Sequence, residues 1–263
     1  MRLGFIGAGN MAQAMIGGIL AKEIVKKEDI IASAATQKTI DKVAKEFGIN
    51  VTLDNREVAK ADIVFLAVKP FYYEEVIDGI KDVVDEKQLI ISVAAGKSVE
   101  WVENAFGGKK KIVRIMPNTP ALVGEAVTAI CPNANITDGE KQEIVELIAS
   151  FGLAQIVSEK IMDAVIAVSG SSPAYVFMFI EAMADAAVAE GMPRVQAYQF
   201  AAQSVLGSAK MVLETGKHPG ELKDMVCSPS GTTKEAVKVL EEKGFRSSII
   251  EAMSACADKS RNM

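Results

Sequence analysis

A short β-rich run, Leu3–Ile6, leads straight into Gly7-Ala8-Gly9-Asn10-Met11-Ala12 and then into a helical pattern. Few openings constrain a fold more tightly. The first glycine permits a tight turn, the second lets a ligand approach the backbone, and small Ala12 keeps helix and strand close. The helix N-terminus adds N–H groups and a positive dipole end suited to a pyrophosphate. A lone G-x-G-x-x-A is weak evidence, but at the first strand of a βαβ series it is strong.

Such a series follows. Brief runs at 29–33, 63–67, 89–93, 112–115 and 127–131 are rich in Ile, Val, Leu or Phe, and a last one at 154–157 closes the region. Continuous apolar runs of this length suit strands buried on both faces. Helical stretches at 10–22, 38–47, 73–84 and 139–151 lie between several of them. The expected class is α/β: a Rossmann-type, mostly parallel sheet occupying residues 1–158.

Beyond about Ser158 the strand-like runs stop and helical patterns fill residues 159–263. Gly191-Met192-Pro193 and Lys217-His218-Pro219-Gly220 punctuate them. Apolar residues crowd several faces of 174–188 and 198–212, so these helices must be buried on more than one side. A small domain offers little interior for that, which points to self-association of the helical part.

Composition narrows the function. With 49% hydrophobic and 24% charged residues the chain reads as soluble and globular. A net charge of -5 gives no footprint for nucleic acid or an anionic membrane. The three cysteines are far apart and His218 is the only histidine, so no metal site is expected. No signal peptide precedes the first strand, and Glu181 and Asp185 interrupt the most apolar helix, which argues for a cytoplasmic protein without a membrane span.

The end of the second strand bears on the cofactor. An NAD site usually places Asp or Glu there for the ribose hydroxyls. This chain reads Ser33-Ala34-Ala35-Thr36-Gln37-Lys38, with no carboxylate. Lys38 favours a 2′-phosphate and Ser33 and Thr36 tolerate one, so NADPH is expected, with NADH as the weaker alternative. Ala67-Val68-Lys69-Pro70 and Ala94-Ala95-Gly96 close two later strands, where ligands of open α/β sheets bind. Lys69 is read there as a positioning group.

A second loop, Cys227-Ser228-Pro229-Ser230-Gly231-Thr232-Thr233-Lys234-Glu235, opens a helix near residue 232. Thr232 and Glu235 have the spacing of a capping box. The preceding Pro-Ser-Gly turn also allows backbone N–H groups to converge on an anion, a carboxylate as readily as a phosphate. An alcohol or ketone substrate requires an acid–base residue, and His218 sits in a turn without a partnered carboxylate pattern. An imine arrives already protonated, so a hydroxyl such as that of Thr233 suffices beside its nitrogen.

The chain resembles the pyrroline-5-carboxylate reductase family over essentially its whole length. The blocks GFIGAGNMAQAM, FLAVKP, VAAG and RIMPNTP occur in order, followed by VSGSSPAYVFMFIEAMADAAVAEGMPR, KHPGELKDMVCSPSGTTKEAVKVLE and GFRS. The resemblance implies an NADPH site at Ile6, Gly7, Ala8, Gly9, Asn10, Met11, Ser33, Asn55, Ala67, Val68, Lys69 and Pro70. Ala95, Gly96 and Asn118 would lie near the nicotinamide. It further implies a substrate carboxylate held by Ser230, Gly231, Thr232 and Thr233, with Thr233 nearest the ring nitrogen as the catalytic group. The loop would come from a partner subunit of an interlocked homodimer, and rings of such dimers are the larger assembly. Ser172 and Ser230 stand where the family commonly has glycine. The competing enzyme reading, a β-hydroxyacid dehydrogenase relative, requires a helical lysine with an Asn four residues on; Lys210 is followed instead by Glu214. Two further alternatives are a related cyclic imino acid reductase and a cofactor-binding regulator without catalysis.

Overall fold

The computed structural model describes residues 1–262. Eight strands, β1 Leu3–Ile6, β2 Ile30–Ser33, β3 Asn50–Thr52, β4 Ile63–Leu66, β5 Leu89–Ser92, β6 Lys111–Met116, β7 Ala126–Pro132 and β8 Gly152–Ile156, form one sheet. Their order is β3-β2-β1-β4-β5-β6-β7-β8. The first six are mutually parallel, with the strand order of a dinucleotide-binding fold; the sequence predicts five of these strands but not β3. β7 runs antiparallel to β6, and β8 is parallel to β7. The stretch between Met116 and Ala126 explains the reversal. It is shorter than the dozen or so residues a parallel crossover needs, and a 3₁₀ turn at Thr119–Val123 folds the chain straight back.

Helices α1 Asn10–Ala21, α2 Gln37–Phe47, α3 Asn55–Val58, α4 Tyr73–Ile80, α5 Val99–Ala105, α6 Asp138–Ile148 and α7 Met162–Val165 belong to this part of the chain. Side chains alternate across each strand, so β1 serves two cores. Phe5 joins Met15, Ile19, Phe65 and Phe151 on one face. Ile6 joins Leu66, Tyr73, Ile77 and Ile90 on the other. The Phe5 and Phe65 rings stack with centroids 4.4 Å apart, tying β1 to β4 where the strand order reverses. Each fully buried side chain of this size contributes about 1.5–3 kcal/mol. These strands therefore form a rigid platform beneath the loops at their carboxyl ends.

The remaining helices are α8 Ser172–Ala189, α9 Arg194–Thr215, α10 Pro219–Val226, α11 Thr232–Glu242 and α12 Phe245–Arg261. The chain divides into two compact units, one holding Met1–Ser171 together with the stretch from Ala257, the other holding Ser172–Cys256. Residues 159–171, read from sequence with the helical part, thus group with the sheet. In the first unit Ser260 Oγ donates to Asp163 Oδ1 at 2.6 Å. In the second, α8 packs along α9, and Phe179 of α8 meets Phe245 of α12 at 6.0 Å. Phe177, Met178, Phe200, Leu206, Leu213 and Ile250 of this unit are exposed. By length and composition alone, the stretch Glu159–Ala189 contains a segment apolar enough to cross a membrane.

Candidate active site

A cleft of about 720 Å³ opens at the carboxyl ends of β1, β2, β4, β5 and β6. β1 and α1 contribute Gly7, Ala8, Gly9, Asn10, Met11 and Ala14; the β2 end contributes Ala34, Ala35 and, from α2, Thr39. Ala67, Val68, Lys69, Pro70 and Tyr72 follow β4, Val93, Ala94 and Ala95 follow β5, and Met116, Pro117, Thr119 and Leu122 come from β6 and its turn. The wall is small and apolar, as a flat ring and a backbone-bound pyrophosphate require.

The glycine loop is shaped for such a ligand. Gly7 has φ +96°, and a Cβ there would lie 2.8 Å from Val68 Cγ1 and 2.9 Å from the Ala67 backbone. Its N–H donates to the Ser33 carbonyl at 3.1 Å, which locks the turn against β2. Gly9 caps α1 without a side-chain bond, and a Cβ on it would meet nothing within 4 Å. The first turn of α1 holds no acidic residue, so its positive end is uncompensated. A dinucleotide's pyrophosphate fits this cradle.

Several predicted cofactor residues line the cleft, and others stand behind it. Ile6 is fully buried in the core under the loop. Ser33 is also fully buried, and its Oγ donates to Asn55 Oδ1 at 2.6 Å, so the two predicted residues bind each other. Lys38 is exposed in the first turn of α2, beside Thr36, whose Oγ1 caps that helix. Gly96 has φ +74° at the shoulder of the β5 loop. Asn118 is buried and spans two backbones: Nδ2 donates to Ser169 O at 3.1 Å, and Oδ1 accepts from Val127 N at 3.0 Å. It thereby fixes the turn carrying Pro117 and Thr119.

Sequence reasoning missed the supports under these loops. Tyr73 is fully buried; its OH donates to Leu66 O at 2.5 Å and accepts from Val93 N at 3.0 Å. Burial pushes its phenol up to about 12. Arg114 and Glu159 pair at 2.8 Å, and Glu159 Oε1 also accepts from Val99 N at 2.9 Å. Arg114, a charge inside the apolar run of β6, was the signal that was available; Tyr73, followed by Glu74 and Glu75, gave none.

The second loop lies in the other compact unit. Ser230 adopts φ +58°, the left-handed region that favours glycine. The capping box expected of Thr232 and Glu235 does not form. Gly231 is the N-cap, Thr232 is already helical, and no side chain caps the helix. The turn at Ser230 starts α11 one residue early, which removes Thr232 from the cap position. A Cβ on Gly231 would lie 2.3 Å from Ser228 Oγ, so this hydroxyl sits against the cap glycine. Thr233 is half-buried in the first turn. His218 caps α10, its Nδ1 accepting from Gly220 N at 3.0 Å. Lys210 pairs with Glu214 at 3.4 Å, both exposed.

Two family models match this chain: "NADP oxidoreductase coenzyme F420-dependent" over residues 2–96 and "Pyrroline-5-carboxylate reductase dimerisation" over 159–263. Pyrroline-5-carboxylate reductase of Escherichia coli strain K12 is 51% identical over 100% of this chain and 98% of its own length. That of Methanosarcina acetivorans is 43% identical over 100% and 97%. Among solved structures, the Plasmodium falciparum enzyme with NADP bound superposes with a TM-score of 0.91 at 34% identity, covering 100% of this chain and 97% of that one. The chain belongs to the pyrroline-5-carboxylate reductase family.

Proposed function

We propose that the protein reduces L-1-pyrroline-5-carboxylate to L-proline with NADPH, the final step of proline synthesis. The observation that carries this reading is the glycine-loop cleft on a chain 51% identical, end to end, to an enzyme of that name. When bound, NADPH supplies a hydride to the imine carbon of the substrate. Gly7, Ala8, Gly9, Asn10 and Met11 hold its pyrophosphate, and the carboxylate-free end of β2 with Lys38 accepts the 2′-phosphate. Ala95 and Pro117, from loops fixed by Tyr73 and Asn118, flank the nicotinamide end and keep water from it.

The uncapped N-terminus of α11 suits the substrate carboxylate, held by backbone N–H groups about Ser230, Gly231, Thr232 and Thr233. Thr233 Oγ1 stands beside the ring nitrogen and orients it. The iminium loses its charge as the hydride arrives, so no further proton donor is needed. Neither His218, engaged in a helix cap, nor Lys210, paired with Glu214, serves a competing alcohol chemistry.

The matched dimerisation model makes the protein a homo-oligomer. We infer an interlocked dimer in which each helical unit delivers its loop to the partner's cleft, and rings of such dimers in a cytoplasmic enzyme. A second copy, rather than lipid, then covers Phe177, Met178 and Leu213. An NADPH-oxidation assay with pyrroline-5-carboxylate tests the activity; no turnover at saturating substrate overturns it. Sedimentation as a monomer at assay concentration overturns the assembly.

A further inference from the structure

Gln13, in the first turns of α1, is a buried amide at the edge of a second cavity, beside Asn10, Lys42 and Phe47. It does not line the cofactor cleft. A buried side-chain amide is costly unless its groups are paired, and an apolar residue would fill the space without that cost. Both ends of this one are engaged. Nε2 donates to the Ala8 carbonyl at 2.7 Å, and Oε1 accepts from Lys42 Nζ, on α2, at 3.0 Å.

The Ala8 carbonyl is half of the Ala8–Gly9 peptide, in the middle of the glycine loop. No described peptide bond is cis, and a planar trans peptide points its C=O and N–H in opposite directions. Drawing Ala8 O toward Gln13 therefore turns the Gly9 N–H the other way, toward the open side where a Cβ on Gly9 would meet nothing. The same bond keeps a partly negative oxygen from swinging toward an incoming anion. Lys42 polarises the Gln13 amide and so strengthens its donation to Ala8, as linked hydrogen bonds do. The competing partner of Lys42, Glu46, stands 4.0 Å away on an exposed surface.

We propose that Gln13 is a positioning residue for the pyrophosphate of the cofactor, acting through the Ala8–Gly9 peptide, and that Lys42 acts through Gln13. The proposal rests on the cofactor reading above. It adds a specific division of labour: Gln13 governs the pyrophosphate and leaves the adenosine 2′-phosphate untouched.

Calorimetric titration of the full-length protein with NADP⁺ and with adenosine 2′-monophosphate, which lacks the pyrophosphate, separates the two. Gln13→Leu should raise the Kd for NADP⁺ about tenfold, the size of one well-placed hydrogen bond. It should leave the Kd for adenosine 2′-monophosphate within about twofold, since that ligand never reaches Gly9. Lys42→Met should give a smaller loss of about threefold for NADP⁺ only. The double variant should match Gln13→Leu alone, because Lys42 has no other route to the loop. Equal weakening of both ligands overturns the assignment, as do unchanged NADP⁺ binding and multiplying losses in the double variant. If Gln13→Leu does not fold, Lys42→Met alone decides, on the same comparison of ligands. A wild-type protein that fails to bind NADP⁺ overturns the cofactor reading itself, a result distinct from intact wild-type binding with indifferent variants.

Discussion

Arg114 Nη1 lies 2.8 Å from Glu159 Oε1, and that same oxygen accepts the Val99 N–H at 2.9 Å. One carboxylate so joins a strand side chain, 8% exposed, to the start of α5, just after the Ala94-Ala95-Gly96 loop. Glu159→Ala leaves the guanidinium buried and unpaired and should cost about 3 kcal/mol in urea unfolding. Glu159→Gln, which keeps an acceptor oxygen, should cost less than half as much. Equal losses would show that the charge itself does nothing here.

The two loop glycines should fail differently. Gly9→Ala meets open space and needs no unusual backbone, so its melting temperature should stay within a few degrees of wild type. Its methyl would occupy the place proposed for the pyrophosphate, and NADPH binding should fall at least tenfold. Gly7→Ala combines φ +96° with contacts under 3 Å, and should lose binding together with about 1–3 kcal/mol of stability. Thermal melts alongside calorimetry check both.

Lys38→Glu places a negative charge beside the expected 2′-phosphate. The ratio of kcat/KM for NADPH over NADH should drop about tenfold, and the drop should shrink as salt is added. An unchanged ratio would mean that Lys38 is only a solvated residue of the α2 first turn.

Thr233→Ala should lower kcat/KM for pyrroline-5-carboxylate by about tenfold or more while the Kd for NADPH stays within about twofold. Thr233→Ser, which retains the hydroxyl, should recover most of the rate. Steady-state kinetics with both variants make the comparison.

Alkaline pH should unlock the β4–β5 loops. Burial pushes the Tyr73 phenol from 10.0 up to about 12, so the unfolded chain loses that proton first. The contribution of Tyr73 is complete below pH 10 and is lost as pH climbs toward 12, in all about 3 kcal/mol. Cys131, raised by burial from 9.0 to about 11, adds a fall of the same sign that begins earlier. Urea unfolding at several pH values should show a shallower decline between pH 10 and 12 for Tyr73→Phe than for wild type.

The buried strands were legible because each is a short run of Ile, Val, Leu or Phe; β3, three residues with Asn50 exposed, carries no such run. The direction of β7 was not legible, since it depends on how Asn118 and the 3₁₀ turn fold the chain back. The glycine loop announced itself through spacing alone. Gln13 did not, because its meaning resides in distances to Ala8 and to Lys42, far along the chain. The cap at α11 was misread because Ser230 takes a backbone conformation that residue spacing cannot reveal.

The bond from Ser260 to Asp163 has a bearing on how the protein is made. During synthesis the chain emerges N-terminal part first, and the sheet can assemble before the later helices exist. Its unit nevertheless takes in the stretch from Ala257, which leaves the ribosome after all of Ser172–Cys256. A fragment ending at Ser171 is therefore a nascent intermediate rather than a finished module, and Asp163 waits for its hydroxyl until all of Ser172–Cys256 has been made.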